Sequence, residues 1–240
     1  FPLTTKKFVN DNTANDANGI LIQAGSASTE YALNVANTAG STNFFVVKGN
    51  GKVGIGETSP LGTLHVRSTD SGATADGSAD DLVVENNSNT GISILSGTSS
   101  TGSIYFGDSD RNWDGYIAYA HGASPTMTIA SNGGGNYIKL DATGHVGFST
   151  TPTAWSSGYK SIQIGARGFV GAHSGSDLYV GQNAYFDSAW KYKSSVAASY
   201  TQHSGGRIEH YVANAGTAGN AITWINGLRV DPSGGVTVNE

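Results

Sequence analysis

Residues 47–55 read VKGNGKVGI, in which two short apolar segments flank a glycine-rich turn. The pattern recurs as LDATGHVGF at residues 140–148 and as VDPSGGVTV at residues 230–238. In each copy, six positions separate the apolar residue before the turn from the valine after it, and a glycine lies two positions before that valine. Because glycine readily adopts the positive φ that tight turns demand, each copy predicts a β-hairpin.

The hairpins recur at a long period. The valines that follow the three turns, Val53, Val146 and Val236, lie 93 and then 90 residues apart. Self-similarity at such a spacing is typical of a modular array.

A proline marks the end of each of the first two hairpins. Pro60 precedes LHV at residues 64–66, and Pro152 precedes IQI at residues 162–164, so each hairpin leads into another alternating segment. Because proline cannot donate a ladder hydrogen bond, we place module boundaries at these two turns. The predicted modules are a truncated N-terminal β module (residues 1–60), a second β module (61–152) and a C-terminal β module (153–240).

Composition favours strands over helices. Ile and Val number 30 whereas Leu and Met number 11, and β-branched side chains suit a pleated sheet. No stretch of eleven or more residues has sustained helical periodicity. Charged residues are only 13% of the chain, which is less than a disordered chain of this polarity normally carries. The predicted fold class is therefore all-β.

Several classes of protein are excluded by composition. There is no cysteine, so neither a disulfide framework nor a thiolate metal site is possible. The longest apolar runs, such as residues 44–47, are far shorter than the about 20 residues of a membrane-spanning helix, and we expect no membrane insertion. The net charge of −5 is spread without blocks, which argues against nucleic acid as a partner. No signal peptide is visible, and because the chain begins with Phe1 we expect a fragment of a longer protein.

The predicted modules have many edge strands and few large apolar residues. Exposed edges invite aggregation unless they are paired or covered. Association between chains would cover them and combine three thin apolar faces into one core. The expected assembly is an elongated, intertwined parallel homotrimer.

The segment Gly49–Pro60, GNGKVGIGETSP, resembles the G-x-V-G-I-G-T-x-S-P repeat of bacteriophage tail fibres. The stretches at residues 104–107, 115–119 and 137–147 are similar to the segment that precedes such a repeat. The second and third hairpins depart from the motif, since Phe148-Ser149 replaces Ile-Gly and Thr237-Val238 ends the third. These two modules are therefore candidates for a specialised role.

The resemblance implies a trimeric, β-only distal segment of a tail fibre, carried on the virion together with other tail proteins. In such fibres this region often precedes an intramolecular trimerisation chaperone that cuts itself off. We therefore expect Glu240 to be a processed end.

The sequence contains no recognisable catalytic or metal site. The 18 acidic residues lie in no recognisable catalytic setting, and no Gly-x-Ser-x-Gly elbow is present. The sequence Asp108–Gly115 resembles a calcium loop, but Trp113 stands where the loop needs glycine and Tyr119 where it needs glutamate. An Asp/Asn-rich turn explains it better. We expect no enzyme activity, no cofactor and no metal, and we interpret all six histidines as surface or interface residues.

Aromatic residues follow a gradient along the chain. Residues 1–100 contain one Tyr or Trp, Tyr31, whereas residues 101–240 contain fourteen. Tyr and Trp join an apolar face to a polar group, which suits recognition surfaces and sugar faces. Trp224, between Ile222 and Ile225, is the exception, and we expect it in a core.

The gradient predicts a receptor-binding tip in residues 153–240, to which the strand at 113–119 is added as a second candidate segment. Host attachment would use a bacterial surface polysaccharide such as the O-antigen of lipopolysaccharide. The alternatives are a passive structural shaft, which the repeated hairpins favour, and a polysaccharide-degrading tailspike enzyme. The candidate binding residues, chosen because small or polar residues flank them, are Trp155, Tyr185, Trp190, Tyr192 and Tyr200, with Trp113.

Overall fold

The computed structural model describes residues 25–175 and 177–239. Within these ranges the chain forms 19 β-strands, one 3₁₀ turn at Asn132–Gly134 and no α-helix, which confirms the all-β prediction. Two compact units, here called the first and second units, divide the chain between Ser93 and Ile94. The modules 1–60, 61–152 and 153–240 describe the sequence repeat rather than compact units, and they stay a prediction.

The first unit contains one five-stranded sheet. Its spatial order follows the chain order, with antiparallel pairing from β1 to β3 and parallel pairing from β3 to β5. The strands are β1 (Tyr31–Ala36), β2 (Asn43–Lys48), β3 (Val53–Ile55), β4 (Leu64–Arg67) and β5 (Leu82–Glu85).

The second unit contains a twelve-stranded sheet and a separate two-stranded hairpin. The large sheet has the order β19-β18-β17-β16-β13-β12-β11-β10-β9-β8-β7-β6, and only β10 and β11 pair in parallel. Its strands are β6 (Thr101–Phe106), β7 (Gly115–Ala120), β8 (Thr126–Ser131), β9 (Asn136–Asp141), β10 (Val146–Phe148), β11 (Tyr159–Ile164), β12 (Gly168–His173), β13 (Leu178–Gln182), β16 (Ala198–Ser204), β17 (Arg207–Ala213), β18 (Ile225–Val230) and β19 (Val236–Val238). The hairpin is β14 (Ala184–Asp187) with β15 (Ala189–Tyr192).

The three predicted hairpins are confirmed, and they share one register. In each, the apolar residue before the turn lies opposite the valine after it: Val47 opposite Val53, Leu140 opposite Val146, and Val230 opposite Val236. The turn glycines Gly51, Gly144 and Gly234 have φ of 87°, 84° and 84°. A side chain is disfavoured there, which explains the glycine in every copy.

The first two hairpins also continue identically. The strand that follows each proline pairs in parallel with the last strand of the hairpin, β4 with β3 and β11 with β10. Gly54 therefore lies opposite His65, and Gly147 lies opposite Gln163. A Cβ at either glycine would lie 2.0 Å from a carbonyl oxygen three residues later, that of Glu57 or Thr150. The connection crosses the strand so closely that only glycine fits.

Two histidines contradict the expectation of surface or interface positions. His65 and His145 are buried within the single chain. The N–H of Ser161, on β11, donates to Nδ1 of His145 over 3.1 Å. Burial lowers the pKa of His145, and Lys160 adds to this effect while Asp141 opposes it. The strand β11, which follows the second hairpin, contacts the His145 ring, whereas His65 lies on β4 itself and faces Glu85 of β5. Neither contact can be predicted from the local sequence.

The large sheet has one apolar face. Successive partners across six strands are apolar, and most of them remain exposed in the described chain. This row consists of Ile104, Ile117, Ile129, Ile138, Phe148 and Ile164. A parallel row on the same face contains Met127, Leu140, Val146, Ile162, Val170 and Val180.

The opposite face carries the core of the second unit. The buried rings of Trp155, Phe169, Tyr179 and Tyr200 cluster there, and the β14–β15 hairpin packs over them. Trp224 packs against the same cluster, which confirms its expected core position.

Candidate functional site

The five aromatic residues chosen from the C-terminal module belong to this core. Trp155, Tyr192 and Tyr200 are buried, and Tyr185 and Trp190 are partly buried against the cluster. In a single chain the three buried rings are therefore not accessible to a receptor, and a binding role for these five residues stays a prediction. Small and polar neighbours in sequence do not reveal what packs on a ring from another strand.

Contacts with other rings account for the burial. Trp190 lies at the centre, with its ring 5.6 Å from Trp155, 5.1 Å from Tyr179 and 5.0 Å from Tyr200, measured between centroids. The hydroxyl of Tyr192 donates to the backbone oxygen of Asn214 over 2.6 Å. The rings therefore pack within the chain, and the Tyr192 hydroxyl is hydrogen-bonded there.

Trp113 differs from the other candidates because 46% of it is exposed. It lies in the loop between β6 and β7, which is closed by Asp108. The Asp108 carboxylate accepts hydrogen bonds from the backbone N–H groups of Asp110 and Arg111, each over 2.9 Å. These bonds lower the pKa of Asp108. The Asp108 carboxylate thus stabilises its own loop, as expected for an Asp/Asn-rich turn.

Trp113 borders an open groove on the polar side of strands β6–β9. The groove has a volume of about 440 Å³, and we call it the Trp113 groove. Its aromatic walls are Trp113, Tyr105 and Tyr116, and Tyr105 is 61% exposed. The Tyr105 and Tyr116 rings meet edge to face at 6.0 Å. The remaining lining residues are Thr101, Ser103, Ala118, Ala120, Thr126, Thr128 and Lys139.

Strand register explains how these residues meet. Ser103 lies opposite Ala118, Ala118 opposite Thr128, and Thr128 opposite Lys139, so one row of small and hydroxyl side chains crosses four strands. Because the side chain of Ala118 is small, this row leaves the groove open next to the aromatic rings. The Lys139 ammonium at the far end lies 3.3 Å from Oγ1 of Thr151.

This combination suits carbohydrate. Aromatic faces can stack on the C–H faces of a sugar, while serine, threonine and lysine can bond its hydroxyl groups. Sequence reasoning found Trp113 and included Tyr116 in the segment at residues 113–119, but it missed Tyr105 and Lys139. The signal was the period-two alternation of β6, β7 and β9, which places these residues on one face.

A second polar cluster lies in the first unit. Among the described residues, only Glu57, His65 and Glu85 bring three potential metal ligands together. Nδ1 of His65 accepts the N–H of Leu61 over 3.3 Å, so the neutral ring carries its proton on Nε2. That nitrogen, which faces Oε2 of Glu85 at 2.9 Å, is then unable to bind a metal.

Charge within the cluster is already compensated. Nη1 of Arg67 lies 2.5 Å from Oε2 of Glu57. Hydrogen bonds from the N–H and the hydroxyl of Ser71, both 2.7 Å, lower the pKa of Glu85. The contact between His65 and Glu85 has a short distance but lacks the angles of a hydrogen bond, so we interpret it as electrostatic. The cluster fits a structural role better than a metal centre.

No protein-family model matches the chain, and no curated protein matches it. The likeness to tail fibres therefore depends on the hairpin motif and on the similar stretches at residues 104–107, 115–119 and 137–147. None of the described residues forms a helix long and apolar enough to cross a membrane.

Proposed function

We propose that this chain is a segment of a bacteriophage tail fibre that attaches the virion to its host by binding a bacterial surface polysaccharide, such as O-antigen. The observation that carries the proposal is the Trp113 groove, where three accessible aromatic rings border a row of hydroxyl groups. Its open shape suits an extended polymer better than an enclosed small molecule.

The groove favours binding over cleavage. Glycosidases place two carboxyl groups on either side of the scissile bond. The described residues that line the groove include neither aspartate nor glutamate. We therefore propose a binding protein that has no enzyme activity and needs no cofactor or metal.

The proposed assembly is an intertwined parallel homotrimer. Exposed isoleucines, including Ile104, Ile129 and Ile138, recur along the apolar face, and such a patch marks an interaction surface. The edge strands of both sheets, β1 and β5 in one and β6 and β19 in the other, also lack a second neighbour within the described chain. Two further copies of the chain would cover the face and the edges together. Other tail proteins would join the fibre to the particle.

A passive shaft is the second candidate. The first two hairpins and the parallel strands that follow them have the same register at corresponding positions. Repetition of this kind suits a spacer between a tip and a base. A shaft and a binding groove can occupy the same chain.

The test is an array of purified bacterial surface polysaccharides, probed with the full chain. Retention without shortening of the polysaccharide supports the proposal, shortening indicates an enzyme, and neither result leaves a shaft. For a polysaccharide that is retained, Trp113→Ala should weaken binding by about 1–2 kcal/mol per site. Trp113→Phe, which keeps an aromatic face, is the matched control and should retain most of the affinity. Equal binding by wild type and Trp113→Ala would place the site elsewhere.

A further inference from the structure

The first hairpin differs from the other two at the residue that opens its turn. Asp141 and Asp231 open the second and third turns, and each carboxylate accepts N–H groups of its own turn over 2.8–2.9 Å. The shared register places Lys48 at the corresponding position of the first hairpin. A cation thus replaces a carboxylate that stabilises the turn, so turn formation does not account for this lysine.

Lys48 is only 6% exposed, yet its ammonium has no anionic partner in the part of the chain that the structure describes. Nζ lies 3.9 Å from the ring centre of Tyr31, a cation–π contact that offsets part of the desolvation cost. Among the described residues, no carboxylate oxygen lies within 4.0 Å of this nitrogen. The stem of Lys48 is buried, whereas its ammonium reaches solvent at the surface, so an anion from solution can approach it.

Lys52 brings a second positive charge to the same place. Its Nζ lies 3.1 Å from the backbone oxygen of Leu61 and 3.5 Å from that of Pro60. Carbonyl dipoles hold the ammonium in position without neutralising it. Within residues 25–93, the two lysines therefore leave a positive charge that no neighbouring carboxylate compensates.

Nearby carboxylates are committed elsewhere. Glu57 is paired with Arg67 and also accepts the N–H of Ser59. Glu30 directs its carboxylate to the N–H of Ala27 over 3.1 Å.

Both lysines border a cleft of about 470 Å³, here called the Lys48 cleft. Hydroxyl groups of Ser28, Thr29 and Ser59 line it, together with the Tyr31 ring. The volume lies within the range of small-ligand sites.

We propose that the Lys48 cleft binds the anionic group of an acidic sugar, a carboxylate or a phosphate. The anion would lie between the two ammonium groups, and the hydroxyl groups would bond the ring. This site lies in the first unit and uses none of the residues of the Trp113 groove. It is therefore independent of attachment through that groove, and either proposal can fail alone.

Calorimetric titration of the full chain with three sugars tests the site. Glucuronate supplies a carboxylate, glucose 6-phosphate supplies a phosphate, and glucose supplies neither. We expect one or both anionic sugars to bind, with affinity that falls as sodium chloride is added, because salt screens the attraction. Preference between the two anionic sugars identifies the group that the cleft recognises. The proposal is overturned if glucose binds as tightly as the anionic sugars, or if none of the three sugars binds. Neither result requires a variant protein.

Two substitutions locate the site. Lys52→Gln should weaken anion binding by about tenfold or more, since it removes one charge and keeps a polar side chain. Lys48→Asp should abolish binding while the hairpin stays folded, because the other two hairpins already have aspartate there. Lys160→Gln is the matched control: the Lys160 ammonium also contacts a backbone oxygen, that of Thr143, but lies outside the cleft. Unchanged affinity in Lys52→Gln, or an equal loss in Lys160→Gln, overturns the assignment.

Discussion

The indole ring of Trp190 stacks on the phenol ring of Tyr200, with the centroids 5.0 Å apart and the planes inclined by 18°. Tyr200 stacks in turn on Tyr211 at 4.8 Å. Burial also raises the pKa of Tyr200, and the hydroxyl of Tyr211 adds to this effect. These rings hold the β14–β15 hairpin on the large sheet, so their first role is stability.

Trp190→Ala should destabilise the second unit by about 3–5 kcal/mol, the usual cost of removing a large core ring. The thermal unfolding midpoint, followed by circular dichroism, measures the effect. Trp113→Ala is the control and should leave the midpoint unchanged, since that ring is partly exposed at the groove. A Trp190→Ala protein that melts like wild type but no longer binds polysaccharide would instead make Trp190 a binding residue.

The hairpins were predictable because their information is local. A glycine with positive φ and apolar residues at a fixed spacing specify turn and register within nine residues. The burial of Trp155 was not predictable, because the residues that cover its ring come from strands that are distant in sequence. Trp190 on β15 is 35 positions away along the chain. The Trp113 groove was partly predictable. Alternation within β6 and β7 indicates which residues of each strand share a face, but the local sequence does not specify which strands pair.

Light scattering in native buffer should give about three times the 24.7 kDa mass of one chain. The physical reason is the apolar face, where isoleucines and valines stay exposed in a single chain. A mass equal to one chain would contradict the proposed homotrimer.

Ile138→Lys should shift this assembly toward single chains, because it places a charge on the apolar face. Thr128→Lys is the matched control, since Thr128 faces the Trp113 groove on the opposite side of the sheet. It should keep the mass of the assembly. Equal masses for the two variants would show that the apolar face is not the interface.

Asp231 predicts a loss of stability in acid. Its Oδ1 accepts hydrogen bonds from the hydroxyl and N–H of Ser233 and from the N–H of Gly235, at 2.7, 2.9 and 2.8 Å. The Ser233 hydroxyl and the Gly235 N–H are the main causes that lower the pKa of Asp231 below its ordinary value of 3.8. Because the folded-state pKa is the lower one, this stabilisation is present above pH 3.8 and disappears as the pH falls through the folded-state pKa.

The measurement is the unfolding midpoint of wild type and Asp231→Asn from about pH 5 to about pH 2. The variant should start with a lower midpoint and lose less of it on acidification, since its side chain does not ionise. Parallel curves for the two proteins would show that the Asp231 carboxylate does not contribute to the acid sensitivity.

Gly147→Ala should destabilise the second hairpin more than an ordinary glycine substitution. The added Cβ would lie 2.0 Å from the backbone oxygen of Thr150, and a real Cβ never comes so close. The backbone must move at the point where β10 passes to the parallel strand β11, at a cost of about 1–3 kcal/mol. Gly91→Ala is the control, because a Cβ there meets nothing within 4 Å and the glycine has no positive φ. The measurement is the thermal unfolding midpoint of both variants. Equal midpoints would show that the connection after β10 can move to accept a side chain, so that the carbonyl of Thr150 does not require glycine at position 147.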